Sequence, residues 1–245
     1  MFSVNSPKNI KIFINSLNNY GEGTGSIARN VFKFILHPQF VAPIDMLYRN
    51  DIALLVLNRP VQAIVNIPFV RLPTALMTTT NRPNPTRTTP RLTTRTTRKV
   101  ITTSKIRTIR TTTRKRAANL RTFSTYSKQP ATITGWGITE SGSTLATLQK
   151  ANVTVYDIDV CNKQWNRQLN GSIHVCAAQS NTAICLGDSG GPLLVNGNVQ
   201  IGISSFISDN GCNDPTRFPV FTRVSTYLGW IAATMANNPP PASGK

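Results

Sequence analysis

A short run near the C-terminal end of the chain contains a residue that can act as a nucleophile. The run reads GDSGGPL over residues 187–193, with Ser189 at its centre. A serine nucleophile needs an exposed hydroxyl on a tight turn, with backbone N–H groups directed at the oxyanion that forms when it attacks a carbonyl. The glycines around Ser189 permit such a turn and a close approach of backbone to substrate. The run therefore predicts a nucleophile loop for acyl transfer.

The same letters also satisfy the G-x-S-x-G elbow of α/β-hydrolases. In that fold the acid and the histidine both follow the serine. The chain has two histidines, His37 and His174, and both precede Ser189. The sequence also lacks the alternation of strands and helices that a parallel sheet requires. The elbow interpretation is therefore disfavoured.

The elements that position the loop are predicted to be mostly strands. Alternating or continuous apolar runs predict five strands and one C-terminal helix at about residues 225–236. The predicted strands lie at about residues 10–15, 31–36, 52–57, 151–156 and 200–206. The fold class is thus expected to be all-β.

Five further segments, taken in order with the nucleophile run, resemble the chymotrypsin-like (trypsin-fold) serine protease family. They are NDIALLVL at 50–57, TGWG at 134–137, GISSF at 202–206, FTRV at 221–224 and YLGWI at 227–231. The Ser-Ser-Phe version is most similar to the invertebrate chymotrypsin and collagenase branch. The resemblance covers most of the chain except residues 75–128. It implies a double β-barrel whose N-terminal barrel is incomplete in this chain, and proteolysis of peptide or protein substrates through an acyl-enzyme.

Carried over residue by residue, the resemblance assigns Ser189 as the nucleophile and Asp51 as the acid that orients the histidine. The backbone amides of Gly187 and Ser189 would form the oxyanion hole. A monomer without metal or cofactor is expected. The resemblance also pairs Asp188 with an ammonium freed by activation cleavage. No Ile-Val-Gly-Gly segment supplies it, so we expect an unpaired carboxylate at Asp188 and a zymogen-like oxyanion loop.

The resemblance also predicts the substrate-binding residues. Ser205 and Phe206 would pair with the backbone of a bound peptide. Ala183 lies at the pocket floor, where trypsin-like members carry aspartate, so substrates with Lys or Arg are disfavoured. Ile207 stands where a glycine often keeps the pocket open, which favours small or medium apolar side chains. A chymotrypsin-like preference stays open.

The catalytic histidine is missing from its expected place. In the family it precedes the aspartate by about 45 residues, but residues 1–7 contain no histidine. His37 lies in a segment that matches a strand end, and His174 is interpreted as a structural strand residue. The chain is therefore expected to be inactive. It is interpreted as a truncated form of an endopeptidase, or alternatively as a non-catalytic homologue that binds peptides or polyanions.

The four cysteines allow three pairings by counting alone. The family's spacing selects Cys161 with Cys176, and Cys185 with Cys212, the second bridge holding the nucleophile loop against the pocket wall. No Cys-x-x-Cys spacing supports a metal site. Paired cysteines imply an oxidising compartment and an extracellular location. The first residues do not form a secretory signal, and no run of apolar residues is long enough for a membrane span.

A Thr/Arg/Lys-rich segment interrupts the resemblance. Residues 75–128 hold 14 of the 27 Lys and Arg residues and no acid, so they carry most of the net charge of +18. Such a segment cannot offset its ordering entropy and is predicted to be a disordered loop between the barrels. Its charge could attract a polyanion. The predicted organisation is a partial barrel over 1–74, the insert over 75–128, the second barrel and helix over 129–238, and a disordered tail over 239–245.

Overall fold

A computed structural model describes residues 10–21, 23–41, 47–61, 68–74 and 126–241. Residues 75–125 of the predicted insert and 242–245 of the predicted tail lie outside these ranges. The described part of the chain is built from strands with two short helices. The predicted all-β, trypsin-like fold class is confirmed.

The first part of the chain forms an antiparallel sheet of three described strands in the order β1-β2-β3. These are β1 (Lys11–Ile14), β2 (Ile27–Leu36) and β3 (Ala53–Leu57). The pairing of β2 with β3 contains a register shift between Val31 and Lys33. This sheet does not close in the described residues, and the incomplete first barrel stays a prediction.

The second part of the chain forms a closed antiparallel barrel in the order β4-β5-β6-β9-β8-β7. Its strands are β4 (Pro130–Gly135), β5 (Gln149–Tyr156), β6 (His174–Ala178), β7 (Pro192–Val195), β8 (Val199–Phe206) and β9 (Val220–Arg223). Apolar side chains from all six strands fill the interior, and Leu193 and Val195 are almost fully buried there. Closure removes the free edges of this sheet.

Two helices lie outside the barrel. Helix α1 (Ile158–Gln164) begins at Asp157, whose carboxylate accepts a hydrogen bond from the backbone N–H of Asp159. The C-terminal helix comprises a 3₁₀ turn at Val224–Tyr227 followed by α2 (Leu228–Asn237). In the described residues, no helix has the length and apolar character needed to cross a membrane.

The C-terminal helix packs beneath the turn that precedes β3. Ile52 from that turn forms a small apolar cluster with Val224, Tyr227 and Ile231. The partly buried Leu54 and Ile203 pack against the same cluster. The three-stranded sheet is thereby held against the barrel at the position of Asp51.

Candidate active site

The loop that contains Ser189 is a tight turn between the buried Ile184 and the start of β7. Gly187 has a φ of +97° and Gly190 a φ of +81°, a left-handed conformation that favours glycine. A Cβ on Gly187 would lie 3.1 Å from the Cα of Gly137. The turn leaves Ser189 exposed, and its hydroxyl makes no hydrogen bond to the described residues.

Backbone N–H groups in this loop alternate between bonded and free. Asp188 donates to the carbonyl of Cys185 at 3.0 Å, and Gly190 donates to the carbonyl of Ser204 at 2.9 Å. Within the described part of the chain, the N–H groups of Gly187 and Ser189 have no acceptor. Two free donors therefore lie at and beside the exposed serine, which is the arrangement that an oxyanion requires.

The carboxylate of Asp188 points away from Ser189 into backbone. It accepts hydrogen bonds from the N–H of Gly137 at 2.8 Å and from the N–H of Cys185 at 2.9 Å. A Cβ on Gly135 or Gly137 would overlap this carboxylate, at 1.9 Å from its Oδ1 and 2.5 Å from its Cγ respectively. The expectation that Asp188 lacks a partner is therefore wrong. Two amides satisfy it without an ammonium, and the TGWG glycines make room for it.

A cavity of about 450 Å³ opens beside Asp188. Its wall includes Ala183, Glu140, Cys185 and Cys212, and it includes neither Ser189 nor residues 205–207. The cavity therefore lies on the Asp188 side of the nucleophile loop, away from the exposed serine.

Asp51 lies two residues before β3 and is hydrogen-bonded to two strands of the barrel. Its Oδ2 accepts from the hydroxyl of Ser205 at 2.7 Å, and its backbone carbonyl accepts from the hydroxyl of Thr222 at 2.8 Å. Burial raises the pKa of Asp51, and the bond from Ser205 partly opposes that shift. The sequence indicated Ser205 only as part of the substrate edge. Its contact with the acid was missed, because the two residues lie 154 positions apart.

The turn that carries Asp51 has a further anchor on the C-terminal helix. The hydroxyl of Tyr227 donates to Oδ1 of Asn50 at 2.9 Å. Burial, together with the negative charge of Asp51, raises the pKa of Tyr227 to about 12. This phenol therefore stays protonated and keeps its donor at any physiological pH.

The two histidines are engaged elsewhere. His37 packs edge-on against the rings of Tyr227 and Trp230 at 5.1 and 5.0 Å, and its Nδ1 accepts from the N–H of Gln39 at 3.3 Å. Burial lowers the pKa of His37. Neither His37 nor His174 forms a hydrogen bond with Asp51 or Ser189.

His174 is buried in β6, with 2% of its surface exposed. Its Nδ1 accepts from the N–H of Asn170 at 3.2 Å, so its Nε2 carries the proton and donates to the carbonyl of Tyr48 at 3.0 Å. Burial lowers the pKa of His174, and the nearby Arg49 and Arg223 lower it further. Both ring nitrogens are therefore used in a neutral imidazole.

The residues predicted at the substrate edge lie where β8 ends. The ring of Phe206 is buried, edge-on to Trp165 at 5.3 Å and to His174 at 5.6 Å. Ile207 packs against the barrel core. Its backbone N–H and C=O make no hydrogen bond to the described residues. Backbone groups, rather than the Phe206 side chain, are thus available at this edge.

Two disulfides are present, and they are the pairs that the resemblance selected. Cys161 in α1 is bonded to Cys176 in β6. Cys185, just before the nucleophile loop, is bonded to Cys212 in the segment that follows β8. The second bridge joins the nucleophile loop to the segment beyond the substrate edge.

Comparison with known proteins agrees with this geometry. The trypsin family profile matches residues 93–231, which is more than half of the chain. The chain belongs to the trypsin family of chymotrypsin-like serine proteases. The invertebrate branch and the truncation stay predictions.

This trypsin-family chain also resembles individual members in sequence and in fold. It is 43% identical over 116 residues to chymotrypsin-like elastase family member 1 of Macaca fascicularis, covering 44% of this chain and 43% of the relative. The Homo sapiens protein of that name is 39% identical over 115 residues, covering 44% and 45%. The matched part therefore spans less than half of either relative.

Two solved structures show the same fold. Neuropsin, a serine protease expressed in the limbic system of mouse brain, matches with a TM-score of 0.60 at 23% identity, covering 86% of this chain and 74% of that one. The structure of GrC matches with a TM-score of 0.63 at 22% identity, covering 92% of this chain and 77% of that one.

Proposed function

We propose that this chain carries the nucleophile, the acid and the peptide-binding edge of a serine endopeptidase, and that by itself it binds peptides without cleaving them. The observation that carries the proposal is the pair of free N–H groups at Gly187 and Ser189 beside an exposed serine hydroxyl. Asp51 would be the acid of the triad. The elastase names of the relatives support the endopeptidase assignment.

The expected lack of turnover rests on the absence of a base hydrogen-bonded to Ser189 among the described residues, which include both histidines of the chain. A serine hydroxyl is a weak nucleophile at neutral pH unless a neighbouring base takes its proton. The ring nitrogens of His174 are occupied, and His37 lies against aromatic rings. Removal of a triad member costs several orders of magnitude in rate, with only the oxyanion hole and binding left.

Peptide binding would use the backbone at the end of β8. The free N–H and C=O of Ile207 can pair with an extended peptide, as in strand addition to a sheet edge. Ile207 adds bulk beside these backbone groups, whereas the predicted pocket-floor residue Ala183 lies in the wall of the cavity on the Asp188 side of the nucleophile loop. We therefore propose a preference for small or medium apolar side chains, a single-chain peptide-binding unit and, from the disulfides, an extracellular location.

A panel of labelled hexapeptides tests this proposal. The side chain before the bond to be cleaved would be Ala, Val, Leu, Phe or Arg, with binding followed by fluorescence anisotropy and cleavage by chromatography. We expect binding of the Ala and Val peptides to be tighter than that of the Arg peptide, no cleavage, and equal binding by Ser189→Ala. Cleavage that depends on Ser189 would contradict the missing base, and the absence of binding by every peptide would contradict the function itself.

A non-catalytic homologue that binds polyanions is the second candidate, favoured by the charge of residues 75–128. Their 14 basic residues occur with no acid. Such a segment binds polyanions with a steep dependence on salt. We expect retention on a heparin column at low salt and release as salt rises. Passage of the chain through the column at low salt would contradict this role.

A further inference from the structure

The segment between β8 and β9 is organised around one carboxylate. Oδ2 of Asp214 accepts from the hydroxyl of Ser208 and from Nδ2 of Asn210. Oδ1 accepts from the backbone N–H of Thr216 at 2.8 Å and from its hydroxyl at 2.6 Å. A single side chain therefore joins the limb that leaves β8 to the limb that returns to β9.

These bonds extend back to the substrate edge. Ser208 is buried, and it follows directly after Ile207, whose backbone N–H and C=O have no partner in the described residues. Between the two limbs lies Cys212, bonded to Cys185 just before the nucleophile loop. Asp214 is thus connected to the predicted substrate edge through Ser208 and to the nucleophile loop through the disulfide.

We infer that Asp214 is a positioning residue that fixes the backbone of Ile207 at the predicted substrate edge by joining the two limbs of residues 207–216. This role rests on the proposed peptide-binding function. Asp214 does not contact the peptide in this account. Its hydrogen bond with Ser208 restrains the adjacent backbone of Ile207. Its bonds across the loop restrain the segment that contains Cys212. Loss of the carboxylate frees the loop and weakens the selection of side-chain size.

A carboxylate suits this position because all four groups that face it are donors. The hydrogen bonds from Ser208 and Thr216 hold the pKa of Asp214 well below its usual range, so the acceptor stays charged at any physiological pH. Asparagine would place an N–H₂ group against either Nδ2 of Asn210 or the backbone N–H of Thr216, which are donors, while the hydroxyls of Ser208 and Thr216 can turn to accept. Asp214→Asn therefore removes the charge and at least one hydrogen bond with almost no change in size.

The experiment compares three variants with the unmodified chain. Asp214→Asn weakens the hydrogen bonds that join the two limbs, and Thr216→Val removes one donor to Asp214. Asp209→Asn removes the same charge from an exposed position of the same loop. Dissociation constants are measured for acetylated tetrapeptides that end in Ala, Val, Leu or Phe. Hydrogen exchange of residues 207–217 reports on the loop.

We expect Asp214→Asn to weaken the tightest peptide about tenfold, the scale of one lost hydrogen bond to a charged group. The ratio of the dissociation constants of the weakest and tightest peptides should decrease. The rate of hydrogen exchange should rise at residues 207–217 but not in β4 and β5. Thr216→Val should give a smaller change in the same direction, and Asp209→Asn none. If Asp214→Asn fails to fold, the same two readouts on Thr216→Val decide the question.

The outcomes separate the two proposals. Suppose that the unmodified chain binds the peptides and that Asp214→Asn binds each of them with the same dissociation constant. That result would overturn the role of Asp214 and leave the proposed function standing. An equal effect of Asp209→Asn would show that charge alone matters, and would also overturn that role. Absence of binding by the unmodified chain would refute both.

Discussion

The closed barrel and the three-stranded sheet bury their apolar side chains to very different extents. Among the described residues up to 74, the buried apolar side chains are those of Val31, Leu47, Ile52 and Pro73, whereas the barrel has a continuous apolar interior. Large apolar side chains are exposed along the first region, namely Phe13, Leu17, Tyr20, Phe32, Leu36, Val41, Leu55, Phe69, Val70 and Leu72. In the described part of the chain, the barrel can therefore account for its own stability, and the sheet cannot.

The candidate site is divided in the same way. Ser189, the free amides and the substrate edge belong to the barrel, while the sheet contributes Asp51. That acid is held by hydroxyls of the barrel strands and by the small cluster around Ile52. The nucleophile is therefore positioned by the closed barrel and its apolar core, whereas the acid is positioned by a few specific contacts.

A matched pair of leucines tests this difference most strongly. Leu193 is fully buried in the barrel, and Leu36 is 53% exposed in the sheet. Leu193→Ala should lower the free energy of unfolding by about 2–5 kcal/mol, because it leaves a cavity. Leu36→Ala should change it by less than about 0.5 kcal/mol. Urea denaturation measures both, and equal effects would contradict the comparison.

A matched pair of serines tests how the acid is attached. Ser205→Ala should lower the free energy of unfolding by about 1–3 kcal/mol, because it leaves the partly buried Asp51 without its donor. Ser189→Ala should change it by no more than about 0.5 kcal/mol, since that hydroxyl is exposed and has no partner. A larger loss from Ser189→Ala than from Ser205→Ala would show that the acid is held in another way.

The pH dependence of stability gives the smallest effect. Burial raises the pKa of Asp51 above its unfolded value of about 3.9. Between the pKa of Asp51 in the unfolded chain and its pKa in the folded chain, the unfolded chain loses this proton first. The free energy of unfolding therefore falls progressively over that pH range and stays lower by a constant amount above it. The melting temperature of Asp51→Asn, relative to the unmodified chain, should therefore increase between about pH 3 and about pH 7. A relative melting temperature that does not change with pH would mean that burial does not shift this carboxyl.

The sequence predicted the strands that alternate or continue an apolar run, with boundaries close to those observed. It missed β4, β6, β7 and β9 for a physical reason. β6 and β9 are buried throughout but contain His174, Thr222 and Arg223, so they show neither alternation nor a continuous apolar run. β4 and β7 begin at proline, which is uncommon within strands. Asp157, a residue type that favours helix N-caps, indicates the start of α1.

The candidate site was predictable where local backbone sets it. The glycines of the GDSGGPL run indicated the turn, and the family's spacing selected both disulfides. Contacts between distant segments were not predictable from one sequence. The bond from Ser205 to Asp51 and the bonds from the amides to Asp188 depend on how the barrel closes, and no local pattern encodes them.

Labelling with a fluorophosphonate probe tests the central claim most directly. The purified chain and Ser189→Ala would be incubated with the probe, and adducts at Ser189 measured by mass spectrometry, with circular dichroism to show that both are folded. Because the described residues give the site an exposed hydroxyl and free amides but no base beside Ser189, we predict no more labelling of the chain than of Ser189→Ala. Rapid labelling at Ser189 would contradict this account, because it would require a group in this chain that withdraws the serine proton.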